Sequence, residues 1–267
     1  MSALYLVRLP VGLAALARWA ASRNYGWTTH RNLKGRECDA DFDEGRALHH
    51  LLAETFGPGM LHPFRLLVAA PATRGHIYAY SRADEATLRD TAQSFALPEI
   101  AAVCPWTQLD AKEMPDEWRK GRRIGFDVRV KPTSRLMKPL PQLDGGSFGK
   151  GAEIDAFLIE ALRSFPDPSS AEANMQQAGR SRESVYTRWL AQRLQGIATV
   201  EPGATMTRFL RRRASRSGFS PEGPDATLQG NLIVDDSQRF YVMLANGIGR
   251  HKAYGYGMVL LRPPRRA

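Results

Sequence analysis

The sequence is poor in cysteine: only Cys38 and Cys104 occur among its 267 residues. Two thiols cannot build a four-thiolate metal centre, and they cannot form the disulfide framework that stabilises many small secreted proteins. We therefore expect a protein of a reducing compartment that is stabilised by an apolar core. With 43% hydrophobic residues, the chain has material for one large domain or for two of roughly 130 residues each.

Long apolar runs are also missing. The apolar-rich stretch at residues 4–20 is interrupted by Arg8, Pro10 and Arg18, and no other run approaches the roughly 18 residues that a membrane-spanning helix needs. The stretch is not followed by the small-residue cleavage pattern of a signal peptide, and its alternation favours a strand. We expect no membrane association and a cytoplasmic location.

Acidic residues are in the minority. The chain has 27 Asp and Glu against 37 Lys and Arg, which gives a net charge of +10. Such a surplus favours a polyanionic partner, and nucleic acid is preferred to a membrane surface because no amphipathic anchor occurs.

Motifs for catalytic metals and nucleotides are absent as well. The sequence has no HExxH or CxxC pattern, no recognisable carboxylate cluster and no Gly-Lys-Ser/Thr phosphate loop. We therefore expect neither a metal ion nor a cofactor.

Hydrophobic alternation and helical spacing predict the same order of elements twice: strand, helix, strand, strand, helix, strand. In the first half, Asp43 and Asp84 are expected to begin helices, residues 22–42 form a basic loop, and the strand at 124–130 has a solvated basic face. The other strands of this half are expected at residues 3–9, 64–69 and 76–80.

A segment rich in proline and glycine, residues 132–151, is the candidate linker. In the second half, strands are expected at residues 197–204, 228–234 and 258–261. The chain is therefore predicted to be an α+β protein of two tandem ferredoxin-like (βαββαβ, RRM-like) domains with antiparallel sheets, at residues 1–135 and 150–267.

An arginine-rich stretch lies in the second half and contains no acid. Guanidinium groups bind phosphates in a bidentate manner and stack on bases, so this stretch is a candidate RNA-binding segment, and a solvated surface face is the alternative. Its arginines are Arg208, Arg211, Arg212, Arg213 and Arg216.

A glycine-rich loop, residues 247–257, precedes the last predicted strand. Glycines let backbone N–H groups approach a phosphate, and neighbouring basic side chains add positive charge. A helix end followed by a tight turn is the alternative. The candidate RNA-binding residues of this loop are Gly247, Gly249, Arg250, His251, Lys252, Tyr254 and Gly255.

Histidine is the usual proton carrier in RNA cleavage because it titrates near neutral pH. Each histidine could equally be a surface or a satisfied core residue. The six are His30, His49, His50, His62, His76 and His251.

Several motifs occur in an order that resembles a known family. The terminal GIGRHKAYGYG is the most specific, and it is accompanied by Arg46-Ala47-Leu48 with Phe56-Gly57-Pro58, by GKG at 149–151 and by TRWLAQRL at 187–194. The chain thereby resembles the CasE-type CRISPR repeat-RNA endoribonucleases of the RAMP superfamily. The arginine-rich stretch is also similar to the divergent variants of type IV systems.

The resemblance implies a metal-independent endoribonuclease that recognises a CRISPR repeat hairpin. In such proteins the 2′-hydroxyl attacks the adjacent phosphate, which leaves a 2′,3′-cyclic phosphate and a 5′-hydroxyl. It also implies partners: the repeat RNA, the mature crRNA and other subunits of a CRISPR effector complex.

One departure from the family concerns the catalytic histidine, because Gly45 stands just before Arg46-Ala47-Leu48, where that histidine is expected. His49, one turn further on, faces nearly the same side of the helix and could replace it. The other candidates are Arg23, His30 and Arg36, where an arginine would orient the 2′-hydroxyl and stabilise charge rather than act as a base.

Two alternatives remain open at this point. Gly45 favours a catalytically inactive subunit that only binds the crRNA hairpin. A basic RNA-modifying or ribosome-associated protein of unrelated mechanism is the other.

Overall fold

The computed structural model describes residues 3–25, 27–31, 37–69, 73–142, 146–165, 167–213 and 222–265. The strands are β1 Tyr5–Gly12, β2 Trp27–Arg31, β3 Glu37–Phe42, β4 Phe64–Leu67, β5 Arg74–Ser81, β6 Asp110–Glu113, β7 Arg123–Val130, β8 Thr133–Arg135, β9 Leu140–Pro141, β10 Ser147–Phe148, β11 Glu153–Asp155, β12 Ala198–Val200, β13 Thr205–Arg213, β14 Glu222–Val234 and β15 Val259–Arg262. The helices are α1 Leu13–Ser22, α2 Glu44–Phe56, α3 Glu85–Phe95, α4 Pro98–Val103, α5 Ala156–Ser164, α6 Ala171–Gln177, α7 Arg182–Leu194 and α8 Ser237–Asn246, with short 3-10 turns at Trp106–Gln108, Pro168–Ser170 and Lys252–Tyr254.

The described residues form two compact units. The first contains residues 3–118 and Ser237–Val259, and the second contains Arg119–Arg213, Glu222–Asp236 and residues 260–265. These bounds differ from the predicted 1–135 and 150–267, because α8 and the glycine-rich loop after it pack with the first unit although they come late in the chain.

The first unit is built on an antiparallel sheet in the order β4-β5-β1-β6. Alternation along β1 turns Val7, Leu9 and Val11 into the core, where they are at most 1% exposed. Each such side chain contributes about 1.5–3 kcal/mol by leaving water. The helices α2 and α3 pack together, and both begin as predicted: Asp43 accepts a hydrogen bond from the Arg46 N–H, and Asp84 accepts one from Thr87.

The second unit is built on an antiparallel sheet in the order β12-β14-β7-β15, with β13 also paired to β14. In chain order β7, the helices α5 to α7, β13, β14, α8 and β15 again follow βαββαβ, although α8 belongs to the first unit. The predicted tandem of antiparallel sheets is confirmed. The strand at 124–130 was expected to complete the first half, and this is wrong: β7 is the first strand of the second sheet, and β6 completes the first.

The expected basic face of β7 is also wrong, because residues 124–130 are all buried. Arg129 lies in the interior as half of an ion pair: its Nη2 and Nε donate to the two carboxylate oxygens of Asp225 at 2.7 and 2.9 Å. Asp127 is 1% exposed and accepts hydrogen bonds from Gln229 and Arg262, both at 2.7 Å. Paired charges of this kind can be buried, which an alternating pattern alone cannot reveal.

Two further expectations about irregular segments are corrected. Residues 22–42 are not a loop throughout, because β2 and β3 pair as an antiparallel hairpin with Trp27 opposite Phe42. Trp27, Thr28 and Thr29 favour strands, and the surrounding basic residues hid that signal. The arginine-rich stretch is strand β13, and the strand expected over 197–204 is reduced to Ala198–Val200.

Within the described ranges, no helix is both long enough and apolar enough to cross a membrane.

Candidate functional site

Side chains of three elements meet in the first unit and form a cluster that we call the imidazole cluster: His49, His62, Lys252 and Tyr254. His49 lies on α2, and its ring centroid is 5.3 Å from that of Tyr254, which ends the 3-10 turn Lys252–Tyr254. His62 precedes β4, and both Lys252 and His49 act on it electrostatically. His49 and His62, from the first 118 residues, thus lie near Lys252 and Tyr254, from the segment Ser237–Val259 of the same unit.

Gly45 faces the backbone of the same turn. A β-carbon at Gly45 would lie 2.5 Å from the carbonyl oxygen of Tyr254, closer than real β-carbons approach any atom. The turn therefore occupies the space that a side chain at position 45 would need. The departure from the family at Gly45 has a structural counterpart, because the histidine expected there could not be added without moving the turn.

Glycines allow the turn to dock in this way. A β-carbon at Gly247 would lie 2.8 Å from the Gly257 carbonyl oxygen and 3.0 Å from Pro63, and its φ of +68° also favours glycine. The Gly247 N–H donates to the Met243 carbonyl at 2.7 Å, so this residue ends α8 as well. His251 itself adopts a left-handed φ of 59° at the start of the 3-10 turn.

The electrostatics of the cluster favour a neutral imidazole beside a cation. Burial, the nearby Lys252 ammonium and His49 together lower the pKa of His62 below its usual range. No carboxylate in the described part of the chain forms an ion pair with Lys252. A neutral imidazole can accept a proton, and an unpaired ammonium beside it can stabilise negative charge on a phosphate.

Aromatic contacts extend the cluster along α2. The His50 ring stacks on that of Tyr25 at 3.8 Å with 9° between the planes, and Tyr25 in turn contacts Trp19 at 5.7 Å. The pKa of His50 is lowered mainly by burial, and the nearby His49 and Arg46 lower it further by charge repulsion. His50 and His62 were named among the six histidines without a committed role, and no sequence signal pointed to Tyr25.

Among the other predicted catalytic residues, Arg23 does not join the imidazole cluster. Arg23 donates to Glu54 at 2.9 Å and to Glu99 at 2.7 Å, so its guanidinium is held by two carboxylates. The side chain of His30 and the whole of Arg36 lie outside the described residues. Of the two predicted catalytic residues whose side chains the structure describes, Arg23 and His49, it brings His49 together with a predicted loop residue, Tyr254.

The arginine-rich stretch runs along β13, paired with the outer half of β14. Arg208 and Arg211 are exposed, and Arg211 reaches Glu172 at 3.4 Å. Arg212 and Arg213 are described only by their backbone, and Arg216 lies outside the described residues.

A neighbouring arginine is part of the packing and is not available to a ligand. Arg182, the first residue of α7, pairs with Asp155 at 2.9 Å and with Glu172 at 2.8 Å. Its guanidinium also lies 4.1 Å from the ring centroid of Phe157 and 5.2 Å from that of Phe209. Arg182 therefore fixes α7 against α5, α6 and β13.

No three His, Cys, Asp or Glu side chains come together in the described ranges in a way that could hold a metal ion. The chemistry that the cluster itself can supply is proton transfer by imidazole and charge stabilisation by ammonium.

Comparisons with known proteins agree with this fold. The model of a family described as CRISPR associated protein matches residues 4–263. Thermus thermophilus Cse3, bound to an RNA that represents a pre-cleavage complex, is 15% identical with a TM-score of 0.58, over 98% of this chain and 100% of that one. No curated protein matches the sequence.

Two further solved structures are similar. The CRISPR endoribonuclease Cse3 bound to a 19-nucleotide RNA is 18% identical with a TM-score of 0.56, over 98% of this chain and 100% of that one. The CRISPR-associated protein Cas6e from Escherichia coli K-12 is 16% identical with a TM-score of 0.55, over 97% of this chain and 99% of that one. At these identities the likeness shows the fold, and it confirms the predicted tandem of ferredoxin-like domains.

Proposed function

Because the chain belongs to the family of CRISPR associated proteins, we propose that it is a metal-independent endoribonuclease that recognises a CRISPR repeat hairpin and cleaves precursor crRNA. The observation that carries the proposal is the imidazole cluster, in which the ring of His49 contacts that of Tyr254 and His62 lies within electrostatic range of Lys252 and His49. The similar Cse3 structure is that of an endoribonuclease bound to RNA.

The reaction needs a base for the 2′-hydroxyl and positive charge for the phosphate. His49 takes the 2′-hydroxyl proton as the oxygen attacks phosphorus, and Lys252 stabilises the negative charge on the non-bridging oxygens. The bond to the 5′-oxygen then breaks, and that oxygen takes up a proton. Water donates this proton, and the His49 imidazolium gives its own proton back to the solvent, which restores the resting site. His62 is kept neutral by burial and by Lys252, so it adds no further charge.

The hairpin is held by two basic segments. One is the β13–β14 end, with Arg208, Arg211, Arg212, Arg213 and Arg216, where guanidinium groups follow the phosphate backbone. The other is the glycine-rich loop, whose residues Gly249, Arg250, His251 and Gly255 place backbone N–H groups and positive charge beside the RNA. Gly247 lets the chain turn into this loop, and its own N–H is bonded to the Met243 carbonyl. The protein acts in the cytoplasm, retains the crRNA and joins the other subunits of a CRISPR effector complex.

Arg23, His30 and Arg36 stay predictions as catalytic residues. Arg23 would have to release Glu54 and Glu99 before it could contact RNA. An arginine there would orient the 2′-hydroxyl or stabilise charge, since its pKa is too high for a base.

The test is cleavage of end-labelled repeat RNA in EDTA, beside a copy with a 2′-deoxy nucleotide at the cut site. We expect the first RNA to be cut and the second to stay intact. His49→Gln should slow cutting by about 100-fold or more with little change in binding. His50→Gln is the matched control, because this neighbouring imidazole stacks on Tyr25 instead of Tyr254. Equal rates in the two variants would refute the assignment of His49.

A catalytically inactive hairpin-binding subunit is the second candidate. It is favoured by Gly45, whose side-chain space is filled by the Tyr254 backbone. Tight, selective binding of the repeat without cleavage would establish this function in place of the endoribonuclease.

A further inference from the structure

The sheet of the first unit has a second face, opposite its core, that the proposed function does not use. Alternation along β1 places Arg8 there, between Leu6 and Pro10, and the register pairs Arg8 with Tyr78 and Pro10 with His76 on β5. Gly12 pairs with Arg74 at the end of the same two strands. We call Arg8, Arg74, His76 and Tyr78 the open sheet face.

This face is covered at one end and open at the other. At the covered end Tyr80 is 1% exposed, and its hydroxyl donates to the Val259 carbonyl at 3.0 Å. At the open end Arg8 and Arg74 are exposed, and His76 and Tyr78 are half-buried. Two cations and two planar rings are therefore accessible side by side on a rigid sheet.

Among the described residues, the polar contact of the arginines on this face is with a histidine and not with a carboxylate. The Nη2 of Arg8 donates to Nε2 of His76 at 2.9 Å, which fixes both side chains and leaves the other guanidinium N–H groups available. Asp110 stands opposite Arg8 on β6, yet in the described part of the chain no carboxylate forms an ion pair with Arg8 or Arg74. Arginines without acidic partners next to aromatic rings match the phosphates and bases of an unpaired nucleic-acid strand.

We propose that the open sheet face binds a single-stranded segment of the RNA that adjoins the cleaved hairpin, with Arg8 and Arg74 on phosphates and Tyr78 and His76 against bases. The inference rests on the proposed function and extends it to the unpaired part of the substrate. A paired hairpin stem does not fit these rings, since its bases are already stacked on one another.

The position of the face suits this role. The His62 N–H donates to the Tyr80 carbonyl at 3.0 Å, and Leu67 pairs with His76 further along β4. Leu67 lies five positions after His62, which corresponds to at most about 17 Å along the chain. An RNA strand whose scissile phosphate lies at the imidazole cluster can therefore reach the open sheet face within a few nucleotides.

The experiment compares two RNAs, the repeat hairpin alone and the same hairpin with its natural single-stranded flank, by binding titrations at fixed salt. Wild type should bind the flanked RNA about tenfold more tightly than the bare hairpin. The double variant Arg8→Ala, Arg74→Ala and the single variant Tyr78→Leu should each remove most of this difference and leave the affinity for the bare hairpin unchanged. Lys120→Ala, at an exposed position of the second unit, is the control and should behave like wild type.

The outcomes separate this inference from the proposed function. If the hairpin is bound and cut but the flank adds nothing, or if the variants weaken both RNAs equally, the open sheet face is not a single-strand site and the endoribonuclease proposal stands. If neither RNA is bound by wild type, the proposed function fails. Thermal unfolding of each variant shows whether a loss of affinity for the flanked RNA is caused by a folding defect. Arg8→Lys, a milder replacement, is measured in the same way.

Discussion

The carbonyl oxygen of Tyr254 stands 2.5 Å from the point where Gly45 would carry a β-carbon. The contact joins α2 to a turn 209 residues later in the chain, and it makes glycine necessary at position 45. The backbone of the turn thus fills the space beside α2 that a side chain at position 45 would occupy.

Gly45→His tests this relationship. The variant should not gain activity, although it restores the residue expected from the family, and it should be destabilised by about 1–3 kcal/mol because the turn must move. Chemical denaturation and the cleavage assay measure the two effects. Gly149→Ala is the control, since nothing lies within 4 Å of its β-carbon position. Faster cleavage by Gly45→His would show that the turn yields easily.

Arg129→Met tests the buried ion pair of the second unit. The carboxylate of Asp225, with its side chain 2% exposed, would be left without the guanidinium that donates to both of its oxygens. We expect a loss of about 3–5 kcal/mol in the free energy of unfolding, measured in urea. The double variant Arg129→Met, Asp225→Leu should recover much of it, and an equally unstable double variant would contradict this explanation.

Replacing Arg211, Arg212 and Arg213 by Ala tests the β13 segment. Each phosphate contact releases counterions, so the triple variant should bind repeat RNA more weakly and lose roughly 0.7–0.9 from the slope of log K against log salt for every contact removed. Titrations at four or more salt concentrations give the slope. Arg119→Ala, exposed in the same unit, is the control for the loss of one positive charge elsewhere on the surface. An unchanged slope in the triple variant would assign these arginines to a solvated surface.

The stability of the folded chain should fall as the pH is lowered. Burial, with neighbouring positive or imidazole groups, lowers the pKa of His50, His62 and His76 below the ordinary value of 6.5. Below pH 6.5 the unfolded chain therefore takes up protons that the folded chain excludes, so the free energy of unfolding decreases between pH 7 and about pH 5. Urea denaturation at several pH values measures the slope. His62→Gln should reduce it, and an identical slope would show that His62 does not contribute.

The sequence predicts those parts of the fold that depend on local patterns. The alternation in β1 and the aspartates that begin α2 and α3 are local signals, and each prediction is confirmed. The strand β13 was missed because its repeated arginines obscure the alternation, although its pairing with β14 satisfies the backbone. Buried Arg129 could not be found from sequence, since only the partner strand supplies Asp225.

In the candidate site, too, some residues are recognisable from local sequence and others only from the folded structure. His49 and the glycine-rich loop were recognised by residue type and by resemblance, and they lie together in the structure. The stacking of His50 on Tyr25 and the approach of His62 to Lys252 depend on contacts between residues far apart in the chain, and no pattern within one segment records them.

The first unit combines segments that lie far apart in the chain, and this determines when the imidazole cluster can form during synthesis. Residues 3–118 leave the ribosome first, but the unit is complete only after Ser237–Val259 has followed. At about 5–20 residues per second, the intervening residues take about 6–24 s to translate. A nascent chain that carries His49 and His62 thus has no Lys252 or Tyr254 beside them, so the imidazole cluster forms only after residues 252–254 have been translated.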